Sequence, residues 1–320
     1  MGGARLIDLL NRRLLFVTGK GGVGKTTVAA ALGLLAASMA KRVLVCELDA
    51  TGDLAANFET GPLLFEEREV MPGLWAMSMD PEASLRQYLA LQLRLPLTAY
   101  IGPLARMFDF VGSAAPGVRE IVTVGKLCWE ARERHYDLVV VDAVASGHIV
   151  GQLAAPNVVN QLVRVGPIRQ QTGWMLNVLS DPTISGVVVV ATPEEMAVTE
   201  AVELAERLKA ETEVTMAAVV INRVLPELFN TGEKQVFTAL CASAATRELS
   251  SALGGPVQQL LHVANLMVRR RQSGASHLER LRDSLAGAAP MLYVPYLFLR
   301  SYGLRATRQV ASALSAELEG

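Results

Sequence analysis

The run Gly19-Lys20-Gly21-Gly22-Val23-Gly24-Lys25-Thr26-Thr27 lies between an apolar stretch ending at Thr18 and an alanine- and leucine-rich one. Its spacing, G-x-x-x-x-G-K-T, is filled by Gly19, Gly24, Lys25 and Thr26 and suits the cradling of nucleotide phosphates. Glycines let successive backbone N–H groups turn inward around phosphate oxygens, and the N-terminus of the following helix adds a favourable dipole. Lys25 is then placed to reach the β- and γ-phosphates, and the Thr26 hydroxyl to ligate Mg²⁺. ATP and Mg²⁺ are the expected ligands, with the whole run Gly19 to Thr27 lining the site.

Two aspartates complete the chemistry. Asp49 ends Arg42 to Leu48, and Asp142 ends Leu138 to Val141. Carboxylates at the C-terminal ends of parallel strands face the same sheet edge as the phosphate loop. There an aspartate can hold Mg²⁺ through water or orient the attacking water. Asp142 reads as the metal-side acid and Asp49 as the acid that positions the nucleophile. Glu47 and Asp53 compete with Asp49 for that role, and a strand-end aspartate can also be a plain helix cap.

The elements that must position these residues alternate between strand and helix. Apolar runs at Leu14–Thr18, Arg42–Leu48, Leu74–Ser78, Leu138–Val141, Gly186–Ala191, Met216–Ile221 and Leu292–Val294 read as strands. Thr26–Met39, Met196–Lys209 and Arg305–Leu318 read as helices. This order predicts an α/β P-loop NTPase fold, a mostly parallel sheet covered by helices on both faces. Residues 81–134 carry helical periodicity broken by prolines and are expected to form a helical insertion. Residues 232–286 are expected to form a second helical segment. No stretch has a linker's composition, so residues 1–320 are read as one domain.

Lys20, directly after the first glycine, narrows the reading. G-K-G-G-V-G-K-T-T resembles the deviant Walker A class, which includes the MinD and ParA ATPases, nitrogenase iron protein and the arsenite-pump ATPases. In that class the lysine crosses a dimer interface to the partner's nucleotide, as an arginine finger does. Asp142-Ala143-Val144-Ala145-Ser146-Gly147-His148 is similar to the D-T-A-P-T-G-H switch of the arsenite-pump and tail-anchored-protein-targeting ATPase family. Thr192-Pro193-Glu194-Glu195 and Asp80-Pro81-Glu82 match further elements of it, and Asn222 matches its adenine-reading asparagine. The resemblance spans about Leu14 to Val224 and resumes near Pro290 to Leu304. It implies catalytic roles for Lys20 and Asp49, nucleotide contact by Asn222, and a metal site at Thr26 and Asp142. Ala143 and Ala145 stand where the family has Thr and Pro, and A-T-G-D follows Asp49 where it has P-A-H-S. These departures bear on hydrolysis and switch coupling rather than on binding.

With one phosphate loop, the chain is expected to pair with a second copy or a paralogous ATPase. The resemblance implies membrane-protein targeting or chaperoning, and Leu89 to Val111 would suit a hydrophobic helix client. The alternative is a slow or inactive nucleotide-binding subunit beside an active paralogue. An arsenite-pump subunit would want clustered thiols, whereas Cys46, Cys128 and Cys241 are scattered. A MinD-like role would want a basic C-terminal amphipathic helix, and a ParA-like role a cationic surface. The formal net charge of −1 promises no nucleic-acid partner. No apolar run is long and clean enough to span a bilayer. The chain is expected in the cytoplasm, reaching a membrane, if at all, through a partner.

Overall fold

The computed structural model describes residues 9–49, 51–84, 86–87, 117–162, 167–285, 287–299, 301 and 303–319. Eight strands form one sheet: β1 (Leu14–Gly19), β2 (Val43–Glu47), β3 (Arg68–Met71), β4 (Leu74–Ser78), β5 (Leu138–Asp142), β6 (Ser185–Ala191), β7 (Met216–Val224) and β8 (Met291–Pro295). Their order is β3-β4-β2-β5-β1-β6-β7-β8. All pairings are parallel except β3 with β4. Every strand expected from the sequence is present. β3 is additional: Arg-Glu-Val-Met is short, half charged and exposed at the sheet edge, so it carries no apolar signal.

The central strands read as continuous valine-rich runs because both of their faces are buried. Leu15 and Val17 of β1 face a core shared with Val45, Val140, Val188 and Val220. Leu14 and Phe16 face the opposite core, with Cys46, Val141, Val189 and Ile221. The first core is closed by α1 (Lys25–Ser38), α2 (Asp53–Phe58) and the last helix, α10 (Leu304–Glu319). In α10, Ala306, Thr307, Val310, Ala311 and Leu314 are buried at helical spacing and the chain-facing side packs on α1. The Thr307 hydroxyl donates to Asn57 Oδ1 at 3.0 Å, fastening α10 to α2.

The second core is closed by α3 (Val118–Glu133), α4 (Ser146–Leu162), α5 (Pro167–Ser180), α6 (Glu195–Glu211) and the end of α9 (Gln258–Leu285). α3 buries Val124, Leu127, Cys128 and Ala131 against the sheet. Within the expected insertion, residues 88–116, and with them all of Leu89 to Val111, lie outside the described residues. α4 contains Pro156 and few charges, so its helical character was not apparent in the sequence.

Between β7 and β8 run α7 (Thr231–Leu240), α8 (Ser243–Leu253) and α9. Asn230 opens α7 with a reciprocal cap: its side chain accepts from the Glu233 N–H while Glu233 accepts from the Asn230 N–H. α9 packs Leu278, Leu281 and Leu285 into the second core but leaves Leu260, Val263 and Leu266 exposed near its start. Among the described residues no helix is long and apolar enough to cross a membrane.

Candidate nucleotide site

β1 lies at the centre of the sheet, between β5 on one side and β6 on the other. The connections therefore diverge at its C-terminal end, where open α/β sheets bind their ligands. The phosphate loop fills this position and leads directly into α1. Two of its glycines are required by space and by backbone geometry. Gly19 has φ 151°, and a Cβ there would sit 2.1 Å from the Val190 carbonyl oxygen. Gly24 has φ 94°, and a Cβ there would sit 2.4 Å from Asn222 Nδ2. No side chain fits at either place.

Lys25 opens α1 and folds back over its own loop, with Nζ 3.5 Å from the Lys20 carbonyl. Thr26 follows, and its hydroxyl lies beside Asp142 at the end of β5, where it draws that carboxyl's pKa down. Asp142 is buried, and its Oδ1 has no hydrogen-bond partner. Burial pushes its pKa up to about 7, against the opposing pull of the Thr26 hydroxyl and the Lys25 ammonium. A buried carboxylate oxygen without a donor, beside a hydroxyl at the mouth of a phosphate loop, fits a divalent cation. Thr26 and Asp142 would hold Mg²⁺, which supplies charge neutralisation for the phosphates. Among the described residues no group of three or more His, Cys, Asp or Glu could hold a metal. Mg²⁺ is ordinarily held by one or two protein groups together with phosphates and water.

The second carboxylate position is more crowded. Asp49 is exposed just beyond β2, whereas Glu47, the last residue of that strand, is buried in register with Asp142. Burial raises the Glu47 pKa, although the Thr51 hydroxyl donates to Glu47 Oε1 at 3.0 Å. Thr51 also lies 3.1 Å from Asp53 Oδ2. The structure thus brings Glu47, Thr51 and Asp53 together and leaves Asp49 at the solvent edge.

Asn222 ends the buried part of β7 beneath the loop. Its Nδ2 donates to the Val23 carbonyl at 2.8 Å, and its Oδ1 accepts from the Arg223 N–H at 2.9 Å. The side chain expected to read adenine here braces the phosphate loop. The segment after Asp142 is held by two further bonds. Ala143 N–H donates to the Val17 carbonyl at 2.9 Å, and the Thr18 hydroxyl donates to the Val144 carbonyl at 2.8 Å.

Lys20 points to a residue that sequence reasoning did not single out. Its Nζ pairs with Glu200 Oε2 of α6 at 3.1 Å, and the Ser146 hydroxyl donates to Glu200 Oε1. Glu200 belongs to an ordinary amphipathic helix, so only the folded arrangement reveals the contact. Cys46 and Cys128 are buried in the second core and Cys241 is exposed. Burial holds both interior thiols in the protonated form.

Comparison with known proteins gives the arrangement a family. ATPase BagA of Mycobacterium tuberculosis is 30% identical over 225 residues, covering 67% of this chain and 66% of that protein. A putative ATPase of Mycobacterium bovis matches to the same extent. ATPase GET3 of Chaetomium globosum is 29% identical over 176 residues, covering 54% of this chain and 51% of that protein. The chain thus spans just under two thirds of the mycobacterial relatives and about half of the fungal one. A sequence profile described as anion-transporting ATPase matches residues 12–178 and 167–239, from β1 to α7. The matched region holds the phosphate loop, both candidate acids, the switch segment and Asn222, and the chain belongs to the anion-transporting ATPase family.

Proposed function

We propose that this protein is a Mg-ATP-dependent ATPase that works as a two-subunit, nucleotide-driven switch. The observation that carries the reading is the phosphate cradle set against the buried, unpartnered oxygen of Asp142. In this reading Lys25 and the loop N–H groups hold the phosphates, and Thr26 and Asp142 hold Mg²⁺. Asp49 or its buried neighbour Glu47 orients the attacking water. Lys20 is not needed by its own loop, since its ammonium rests on α6. It is assigned to the partner subunit's nucleotide. Asn222 would reach an adenine only by giving up its bond to Val23.

The family resemblance extends the proposal to targeting or chaperoning of a hydrophobic helix by a protein working in the cytoplasm. A second reading keeps nucleotide binding but assigns slow or no turnover beside an active paralogue. Ala143 and Ala145 in the switch segment and the solvent-edge position of Asp49 favour it.

Steady-state ATP hydrolysis across a protein dilution series, with mass photometry alongside, tests both. Specific activity should rise as dimers appear. Lys25→Ala should weaken nucleotide binding by roughly 100-fold, about 2.7 kcal/mol. Lys20→Ala should bind nucleotide and lose turnover. Dimers of the wild type that bind ATP without turning it over would establish the second reading instead.

A further inference from the structure

Glu200 touches both the phosphate loop and the segment that follows Asp142. Its Oε2 holds the Lys20 ammonium of the phosphate loop at 3.1 Å, and its Oε1 accepts from Ser146. Ser146 is the buried first residue of α4 and lies four residues after Asp142, at the end of the segment that follows the metal-side acid. Glu200 itself sits on α6, whose Val198, Ala201 and Leu204 are locked into the second core. The carboxylate is therefore carried on a rigid element, while both of its partners belong to segments that border the phosphates. The Lys20 and Glu200 side chains are each about one-third exposed (32% and 31%). The pair is accessible enough to open without unfolding anything.

We propose that Glu200 is a positioning residue that latches Lys20 in the unpartnered subunit, and that this latch must open before Lys20 can serve the partner's nucleotide. The inference rests on the two-subunit reading above and goes beyond it by naming the residue that opposes assembly. A carboxylate that neutralises Lys20 within its own subunit competes directly with phosphate oxygens across the interface for the same three N–H donors. Ser146 makes the latch responsive to the site: a shift of the switch segment on nucleotide binding withdraws one of the two donors holding Glu200. Opening is thereby coupled to occupancy, and an empty subunit is kept from pairing prematurely.

An exposed ion pair is worth little alone, and its loss should change Lys20 release by about threefold. Two latches open per dimer, so the dimerisation constant should change by roughly ninefold. Glu200→Gln is the informative variant, because an amide keeps an acceptor for Ser146 and removes the charge. Two measurements separate the latch from the two-subunit reading. The first is the rate of acetylation of the Lys20 amine by an amine-reactive ester, read by mass spectrometry without nucleotide. Exposed Lys209, on the same helix, serves as internal reference and as a check on folding. Lys20 should label about threefold faster in Glu200→Gln, and an unchanged ratio to Lys209 overturns the latch. The second is the protein concentration at half-maximal ATP-dependent dimer formation. It should fall roughly ninefold in Glu200→Gln, with no effect of Glu200→Gln in a Lys20→Ala background. A midpoint that stays put or rises refutes the coupling. Were the wild type to form no ATP-dependent dimer at all, the two-subunit reading would fail while the labelling ratio still decided the latch.

Discussion

At the residue scale, the site is a set of charges whose balance depends on the ligand. Asp142 is the clearest case. An aspartate in the unfolded chain ionises near 4, whereas burial holds Asp142 protonated up to about 7 in the fold. Between those values the native state carries one more proton than the unfolded state, so stability falls as pH rises through the window. Above pH 7 the folded protein carries a buried negative charge that the Lys25 ammonium and the Thr26 hydroxyl offset only in part. Asp142→Asn should therefore flatten the decline between pH 5 and pH 8. It should also leave the ligand-free protein more stable at pH 8, on the order of a few kcal/mol. Raised Glu47 contributes a slope of the same sign, so some decline should remain in the variant. Urea titrations at the two pH values read the difference, and identical slopes for wild type and variant would rule out the burial account.

At the element scale, the loop is held in place because two strands constrain it from below. β6 presents the Val190 carbonyl to Gly19, and β7 presents Asn222 to Gly24 and Val23. Gly19→Ala forces a methyl group to within 2.1 Å of that carbonyl at a φ that side chains rarely adopt. The expected cost is about 3 kcal/mol or more, combining overpacking with backbone strain. Thermal unfolding should register it as a large drop in Tm, and a variant as stable as wild type would mean the strand and loop can separate. These constraints explain what the sequence could disclose. Glycines at fixed spacing, and aspartates ending valine runs, signal the cradle and the sheet edge locally. The pairing of Asn222 with Val23, and of Lys20 with Glu200, joins residues far apart in sequence through geometry that no local pattern encodes. The same reasoning accounts for β3, whose exposed, charged residues have no apolar period. It also explains why the sequence pattern favours Asp49 as the strand-end acid, while the fold buries Glu47 and leaves Asp49 exposed.

At the scale of the whole molecule, the phosphate loop sits where the sheet's connections diverge, and its first helix, α1, is covered by the last one. α10 packs on α1 and is tied to α2 through Thr307 and Asn57, so it completes the core beneath the phosphate loop. β1 likewise finds its sheet neighbours only in β5 and β6, more than a hundred residues further along. A chain ended before Leu304 should keep every residue named in the nucleotide site and still fail to hold them. It should bind a hydrophobic dye and lose cooperative unfolding, whereas a cooperative, ATP-binding truncation would show α10 to be dispensable. Translation gives this arrangement a further meaning. A ribosome delivers α1 long before α10, so throughout the synthesis of the intervening sheet and helices the nascent protein carries an uncovered apolar helix. Nucleotide competence then waits on α10, and until that helix emerges the polypeptide is itself a hydrophobic client in need of shelter.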